Sequence, residues 1–193
     1  MQRIIIIEGP QGCGKTTLSN FLRENIPSSN LYRLSGQKSK TNEGKILSIK
    51  MYNALLKYMA EMESIPMDLI FDRTFFTEYV YASLGYKEYP FEEEYQIYLE
   101  RLLKLNYEIY YFNLYLNETD TYQKRLEREH HMYQAFSVKN SLDQQAKYQS
   151  ISDDLKKTRI HVIDLCMDDF SLAYENVCRT IKIERKKYEN RRL

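Results

Sequence analysis

The feature that most constrains this chain is an apolar run followed at once by glycines, a lysine and two threonines. Residues 4–7 are four isoleucines, and residues 8–17 read Glu-Gly-Pro-Gln-Gly-Cys-Gly-Lys-Thr-Thr. An unbroken apolar run predicts a strand buried on both faces of a sheet. Apolar residues then recur at helical spacing up to residue 26. The start of the chain therefore predicts a strand, a tight loop and a helix, in that order.

The loop in this unit fits the phosphate-binding pattern G-x-x-x-x-G-K-[ST]. Glycines let backbone N–H groups converge on an anion, and the helix that starts at the loop adds its positive end. Lys15 would bring a charge to the transferred phosphate, and Thr16 would place its hydroxyl on a magnesium ion. An ordinary glycine-rich turn is the alternative, which the surrounding strand and helix disfavour. We expect the phosphates of a nucleotide to be held by Gly9, Gln11, Gly12, Cys13, Gly14, Lys15, Thr16 and Thr17.

Composition limits the partners and the location of the protein. The chain has 193 residues, a formal net charge of +1 and three cysteines. Because acidic and basic residues are interspersed, we expect no broad charged surface for nucleic acid or an anionic membrane. Three scattered cysteines favour a reducing compartment over a disulfide framework or a zinc site. With no membrane-length apolar run and no signal-like segment, we expect one cytoplasmic domain over residues 1–193.

Strand-like and helix-like segments alternate along the rest of the chain. Short apolar runs at residues 31–34, 67–71, 107–116 and 159–165 predict four further strands. Such alternation predicts an α/β fold of three layers, in which helices cover both faces of a parallel sheet. Ligands of these folds bind at the carboxyl ends of the strands, where the glycine-rich loop also lies.

Asp72 and Arg73 follow the third predicted strand and are candidates for the chemistry. Asp72 could hold the metal through water or orient an acceptor, or it could cap a following helix. Arg73 could contact an acceptor phosphate or hydroxyl, or it could form a structural ion pair. The aromatic segment that follows could form a slot for a flat base or could fill the core; it contains Phe75, Phe76, Tyr79 and Tyr81.

Two arginines farther along predict a lid over the phosphates. Arg125 and Arg128 are three residues apart and would share one face of a helix, within a lid at about residues 125–140 that includes a polar stretch from His130 to Ser137. A solvated, charged helix is the alternative. His130 and His131 are adjacent and would point to different faces of a helix, which disfavours a metal site.

These residues together resemble the thymidylate kinase and deoxynucleoside kinase superfamily of P-loop kinases. Residues 8–17 look like its E-G-x-x-G-x-G-K-[ST]-[ST] loop, residues 72–77 look like the D-R-Y-x-x-S motif, and residues 115–117 look like a Y-L-D strand end. The resemblance implies a P-loop NTPase fold with a five-stranded parallel sheet and a helical lid. It also implies an ATP–magnesium donor and an acceptor pocket beyond the second and third strands, and it is compatible with a homodimer.

The acceptor side departs from the thymidylate kinase pattern at two positions. Gln11 stands where an acidic residue usually holds the sugar 3′-hydroxyl, and Ala82 stands near the expected glutamine. The sequence therefore leaves the base and the sugar open.

The nature of the acceptor can be predicted from charge. Nucleoside kinases place a glutamate general base at the end of the second strand, but no acid follows that strand here before Glu43. A monophosphate brings its own anionic nucleophile and needs cations around it. That need fits the set Arg33, Lys38, Lys40, Lys45 and Arg73.

The sequence therefore predicts transfer of a phosphoryl group from ATP to a deoxynucleoside monophosphate. Lys15, Asp72, Arg73, Arg125 and Arg128 are the predicted catalytic residues, and Thr16 and Asp72 are the predicted magnesium ligands. A deoxynucleoside kinase that uses Asp72 as a base is the main alternative. A regulatory ATP-binding protein and a nucleic-acid end kinase are further alternatives. Basic residues near the C-terminus could favour the end kinase, but such residues more often form a solvated tail: Arg185, Lys186, Lys187, Arg191 and Arg192.

Overall fold

A computed structural model of the chain describes residues 2–128 and 137–184. Within them, a parallel sheet of five strands has the order β2-β3-β1-β4-β5. The strands are β1 (Arg3–Glu8), β2 (Ser29–Arg33), β3 (Asp68–Asp72), β4 (Glu108–Tyr115) and β5 (His161–Cys166). The α/β class and the five-stranded parallel sheet predicted from the sequence are confirmed.

Helices connect the strands and cover the sheet. The described residues form α1 (Lys15–Asn25), α2 (Asn42–Glu61), α3 (Phe75–Ser83), α4 (Glu92–Lys104), α5 (Thr119–Arg128), α6 (Val138–Leu155) and α7 (Phe170–Ile181). None of these helices is both long enough and apolar enough to cross a lipid bilayer.

The four isoleucines of β1 explain why the sheet has a core on each face. Ile4 and Ile6 pack into a cluster with residues of α2, α3, α4 and α6, whereas Ile5 and Ile7 pack into a second cluster with residues of α1 and α7. Because successive side chains of a strand point to opposite faces, a central strand covered on both sides needs apolar residues at every position. All four isoleucines are fully buried, as this reasoning requires.

The strand order brings the carboxyl ends of β1, β2 and β3 together at one edge of the sheet. Ile7 of β1 and Arg33 of β2 are both paired in register with Asp72 of β3. The segments that leave these strands are therefore neighbours. Two parts of the sequence predictions lie outside the described residues: His130 and His131 of the predicted lid, and the basic segment from residue 185 onward.

Candidate active site

The predicted phosphate-binding loop, or phosphate loop, joins β1 to α1 over residues 9–14. Gly9 has a φ of +146° and Gly14 a φ of +102°, conformations that glycine adopts at little cost. A Cβ atom on Gly9 would lie 2.5 Å from the carbonyl oxygen of Leu114, so a side chain has no room there. Cys13 is buried and Thr17 is exposed. The structure thus brings the predicted phosphate-binding residues into one strand–loop–helix unit.

The side chain of Lys15 contacts the loop that precedes it. Its Nζ donates to the carbonyl oxygens of Gly9, at 2.8 Å, and of Pro10, at 2.6 Å. Burial lowers the pKa of the Lys15 ammonium, since a charge is costly away from water. The ammonium is therefore held at the loop itself, where a bound phosphate group would offer it stronger acceptors than two carbonyls.

Asp72 ends β3 with its carboxylate next to the start of α1. Its Oδ2 accepts hydrogen bonds from Thr16 Oγ1 at 3.2 Å and from Ser19 Oγ at 3.3 Å, and lies 3.7 Å from Arg33 Nε. The alternative role as a helix cap is wrong, because the residue at the N-cap of α3 is Thr74. The hydroxyl of Thr16 and the carboxylate of Asp72 are oxygen donors of the kind that Mg²⁺ prefers, so the two predicted metal ligands fit that ion.

Arg73 adopts a backbone conformation that is uncommon for a residue with a side chain. Its φ is +75°, and its N–H donates to the carbonyl oxygen of Ile7 at 3.1 Å. Its Nη1 donates to the hydroxyl of Tyr81 at 3.4 Å, and Gln11 Nε2 donates to the same hydroxyl at 2.8 Å. The tyrosine oxygen therefore joins the phosphate loop to the end of β3.

A cleft of about 600 Å³ opens between the phosphate loop and the end of β2. The cationic side chains of Arg33, Lys38 and Arg73 line this cleft. Among the described residues that line it, Asp72 is the one acidic residue. Lys45, which the sequence suggested for the same region, forms an ion pair with Glu94 at 2.8 Å. The full lining is Gln11, Thr16, Arg33, Leu34, Ser35, Gly36, Gln37, Lys38, Asp72, Arg73 and Tyr81.

The aromatic segment after Arg73 divides between the core and the cleft. Phe75 and Phe76 are fully buried in the cluster on the α3 face of the sheet. Tyr79 stacks on Tyr95 with ring centroids 4.1 Å apart. Of the four aromatic residues named from the sequence, Tyr81 is the one that lines the cleft.

Arg125 contacts the other side of the phosphate loop. Its Nη1 donates to the carbonyl oxygen of Gly12 at 3.2 Å, and its Nη2 donates to that of Met167 at 2.8 Å. Its guanidinium lies 4.8 Å from the centroid of the Phe170 ring, within cation–π range. Arg128 ends α5, and its side chain is outside the described part of the chain.

Glu8 holds the start of α3 against the end of β1. The fully buried carboxylate accepts hydrogen bonds from the N–H and the hydroxyl of Thr74, at 2.6 and 3.0 Å, and from the hydroxyl of Thr77 at 2.6 Å. Burial raises the pKa of Glu8 to about 7, although these hydrogen bonds act in the opposite direction. In the sequence, an acid directly after four isoleucines is the signal that could have indicated a buried carboxylate.

Helix α6 also supports the phosphate loop, through contacts that no sequence pattern predicts. Gln144 Oε1 accepts from the backbone N–H of Gln11 at 3.1 Å, and Ser141 Oγ donates to the carbonyl oxygen of Gln11 at 3.2 Å. These contacts join residues more than a hundred positions apart. No local pattern of residues indicates such a pairing, because glutamine and serine are ordinary components of an exposed helix face.

Comparisons with known proteins establish the fold. No family profile and no curated protein sequence matches this chain. The YorR protein from Bacillus subtilis, in complex with phosphorylated GDP, has a TM-score of 0.64 and 16% identity, over 93% of this chain and 95% of that one. Deoxyadenosine kinase from M. mycoides with bound dCTP has a TM-score of 0.59 and 17% identity, over 94% and 99% of the two chains.

Thymidylate kinase from Candida albicans is similar over a comparable length. Its TM-score is 0.61 and its identity 14%, over 94% of this chain and 92% of that one. The resemblance seen in the sequence motifs thus extends to the three-dimensional structure, and the chain has the fold of the P-loop kinases that include thymidylate kinase and deoxyadenosine kinase.

Proposed function

We propose that this chain transfers the γ-phosphoryl group of ATP to a deoxynucleoside monophosphate. The observation that supports this most strongly is the charge of the cleft beside the phosphate loop, which Arg33, Lys38 and Arg73 line together with the carboxylate of Asp72. A monophosphate is an anion that already carries its nucleophilic oxygen, so its site needs cations to hold it. The sizes also agree, because small-molecule sites occupy some 300–1,000 Å³.

The donor would bind at the glycine-rich loop and the start of α1. Backbone N–H groups of the loop would cradle the phosphates of ATP, with Lys15 exchanging loop carbonyls for phosphate oxygens. Thr16 and Asp72 would hold the magnesium ion directly or through water, and the bound ion would neutralise charge on the phosphates. Arg125 already lies 3.2 Å from the carbonyl oxygen of Gly12, within reach of a phosphate on the loop.

Arg73 would stabilise the negative charge of the moving phosphoryl group from the acceptor side. Its backbone is fixed at the junction of β3 and α3 by the hydrogen bond to Ile7 and by the bonds of Thr74 to Glu8. Its guanidinium donates to the hydroxyl of Tyr81 at 3.4 Å. A cation positioned before the reaction needs little reorganisation during transfer, which is the condition for effective electrostatic catalysis. The role of Arg128 stays a prediction from the sequence.

A deoxynucleoside kinase is the second candidate. The similarity to deoxyadenosine kinase supports it, and Asp72 lies in the cleft where a general base for a hydroxyl would be needed. Against this, Asp72 Oδ2 is already engaged by the hydroxyls of Thr16 and Ser19. That arrangement favours a metal-site role over proton abstraction.

A panel of acceptors tests the proposal. The purified chain, ATP and Mg²⁺ would be incubated with each deoxynucleoside and each deoxynucleoside monophosphate, and the products identified by mass. We expect diphosphate products from at least one monophosphate. Products from nucleosides alone would establish the second candidate instead, and ATP binding without transfer to any acceptor would overturn both.

The matched control is Lys15→Ala, which removes the loop cation. We expect it to lower kcat/KM about a hundredfold or more, as the loss of one preorganised donor does in other active sites. Turnover in this variant close to that of the wild-type chain would show that the phosphate loop does not carry the reaction.

A further inference from the structure

The cleft has one wall that belongs to neither a helix nor a strand. Residues 35–40, called the strap from here on, run between β2 and α2. Ser35, Gly36, Gln37 and Lys38 of the strap line the cleft. A segment without its own backbone hydrogen-bond ladder must be fixed by other contacts if the wall is to keep its shape.

Lys87, in the loop after α3, holds the strap from behind. Its Nζ donates to the carbonyl oxygen of Gln37 at 2.5 Å and to that of Ser39 at 3.3 Å, and it lies 3.2 Å from Glu78 Oε1. A lysine ammonium has three protons, and three acceptors surround this one. The next residue adds a backbone contact, since the N–H of Glu88 donates to the carbonyl oxygen of Lys40 at 2.8 Å.

Glu78 of α3 compensates the charge of Lys87 and touches the strap itself. The carboxylate is fully buried, and its Oε1 also accepts from the hydroxyl of Tyr89 at 2.5 Å. Its Oε2 has no hydrogen-bond partner among the described residues. A Cβ atom on Gly36 would lie 3.0 Å from that oxygen, so the strap passes close to the carboxylate at a position without a side chain.

We propose that Lys87 and Glu78 are positioning residues that set the acceptor wall of the cleft. A buried ion pair becomes strongly unfavourable when one partner is lost, so Lys87 and Glu78 are expected to stay in contact. Because the carbonyl oxygens of Gln37 and Ser39 accept hydrogen bonds from Lys87, the pair would hold the strap in place beside the cleft that Arg73 also lines. The inference rests on the proposed function, and it assigns acceptor affinity to residues that do not line the cleft.

The positioning role predicts that the KM for the acceptor changes while the KM for ATP does not. Lys87→Met keeps the length of the side chain but removes the charge and three donors, and Gly36→Ala presses on the same contact from the strap side. We expect Lys87→Met to raise the KM for the acceptor about tenfold and Gly36→Ala to raise it severalfold. The KM for ATP should stay within about twofold in both, because ATP would bind at the loop of β1.

Amide hydrogen exchange provides a readout that does not depend on turnover. In Lys87→Met, the amide of Glu88, which donates to the carbonyl oxygen of Lys40 in the strap, should exchange faster while β1 and β3 keep their protection. Lys157→Met is the matched control, because Lys157 is an exposed lysine that pairs with Asp154 and contacts no strap residue. It should change neither KM nor the exchange.

Wild-type turnover in the same assay distinguishes a failure of the positioning role from a failure of the proposed function. If the wild-type chain is active on a monophosphate and Lys87→Met changes neither the acceptor KM nor the exchange of the Glu88 amide, the positioning role is overturned and the proposed function stands. An equal rise of both KM values would overturn the positioning role as well, since it would indicate general damage. If the wild-type chain transfers no phosphate, the proposed function fails first.

Discussion

At the scale of single residues, Glu8 is a carboxylate whose burial disfavours its charge. It is fully buried between β1 and α3, and its pKa is raised to about 7 by that burial. In the unfolded chain the same carboxyl would titrate near 4.5. Between these two values the folded state binds more protons than the unfolded state, so the contribution of Glu8 to stability decreases as the pH rises.

Glu8→Gln should therefore make stability less dependent on pH. A glutamine resembles the protonated acid, so we expect the wild-type chain to lose about 2–3 kcal/mol more of its free energy of unfolding than the variant between pH 5 and pH 8. Urea unfolding at both pH values would measure the difference. Glu61→Gln, at an exposed position paired with Lys57, is the control. Equal pH dependence in the wild-type chain and Glu8→Gln would show that Glu8 is ionised in the fold across this range.

At the scale of elements, α7 shows how a helix start can be predicted and where the prediction stops. The sequence places Asp168 and Asp169 together before the last helix. Asp169 is the N-cap, and its side chain accepts from the N–H groups of Ser171 and Leu172 at 2.8 and 3.2 Å. The side chain of Asp168 instead accepts from the N–H of Asn117 at 2.9 Å, which joins the segments that follow β5 and β4. Local capping follows from local sequence, whereas the second contact depends on the fold.

Asp169→Ala should lower the free energy of unfolding by about 1 kcal/mol, the usual loss for an N-cap aspartate. Thermal or urea unfolding would measure it. Asp143→Ala, which removes an exposed aspartate inside α6, should change stability by less than about half as much. If the two substitutions had equal effects, the cap would not be what stabilises the start of α7.

The same distinction between local and distant contacts explains how much of the site could be predicted. The phosphate loop, Thr16 and Asp72 lie where the sequence suggested, because the loop is a local motif and strand ends of a parallel sheet share one edge. The contacts of Lys87 with the strap and of Gln144 with the loop could not be predicted, because each joins residues far apart in the sequence through side chains of no distinctive type.

At the scale of the whole molecule, the proposed donor site should couple to the stability of the fold. A ligand that binds only the folded state stabilises it by about 2.7 kcal/mol at a hundred times its Kd. For a chain of this size we expect a saturating, non-hydrolysable ATP analogue with Mg²⁺ to raise Tm by about 5–10 °C. Thermal denaturation would measure this. Lys15→Ala should show a much smaller shift at the same concentration, and no shift in the wild-type chain would contradict ATP as the donor.

The order of the strands determines which parts of the molecule substitutions can alter independently. The phosphate loop continues from β1, which has a strand on each side, whereas the strap continues from β2, which within the described part of the chain pairs with β3 alone. Substitutions near β2 would therefore alter the strap while the centre of the sheet keeps its packing. Under the proposed function, the acceptor side could change at the margin of the sheet without rebuilding the part that would bind ATP.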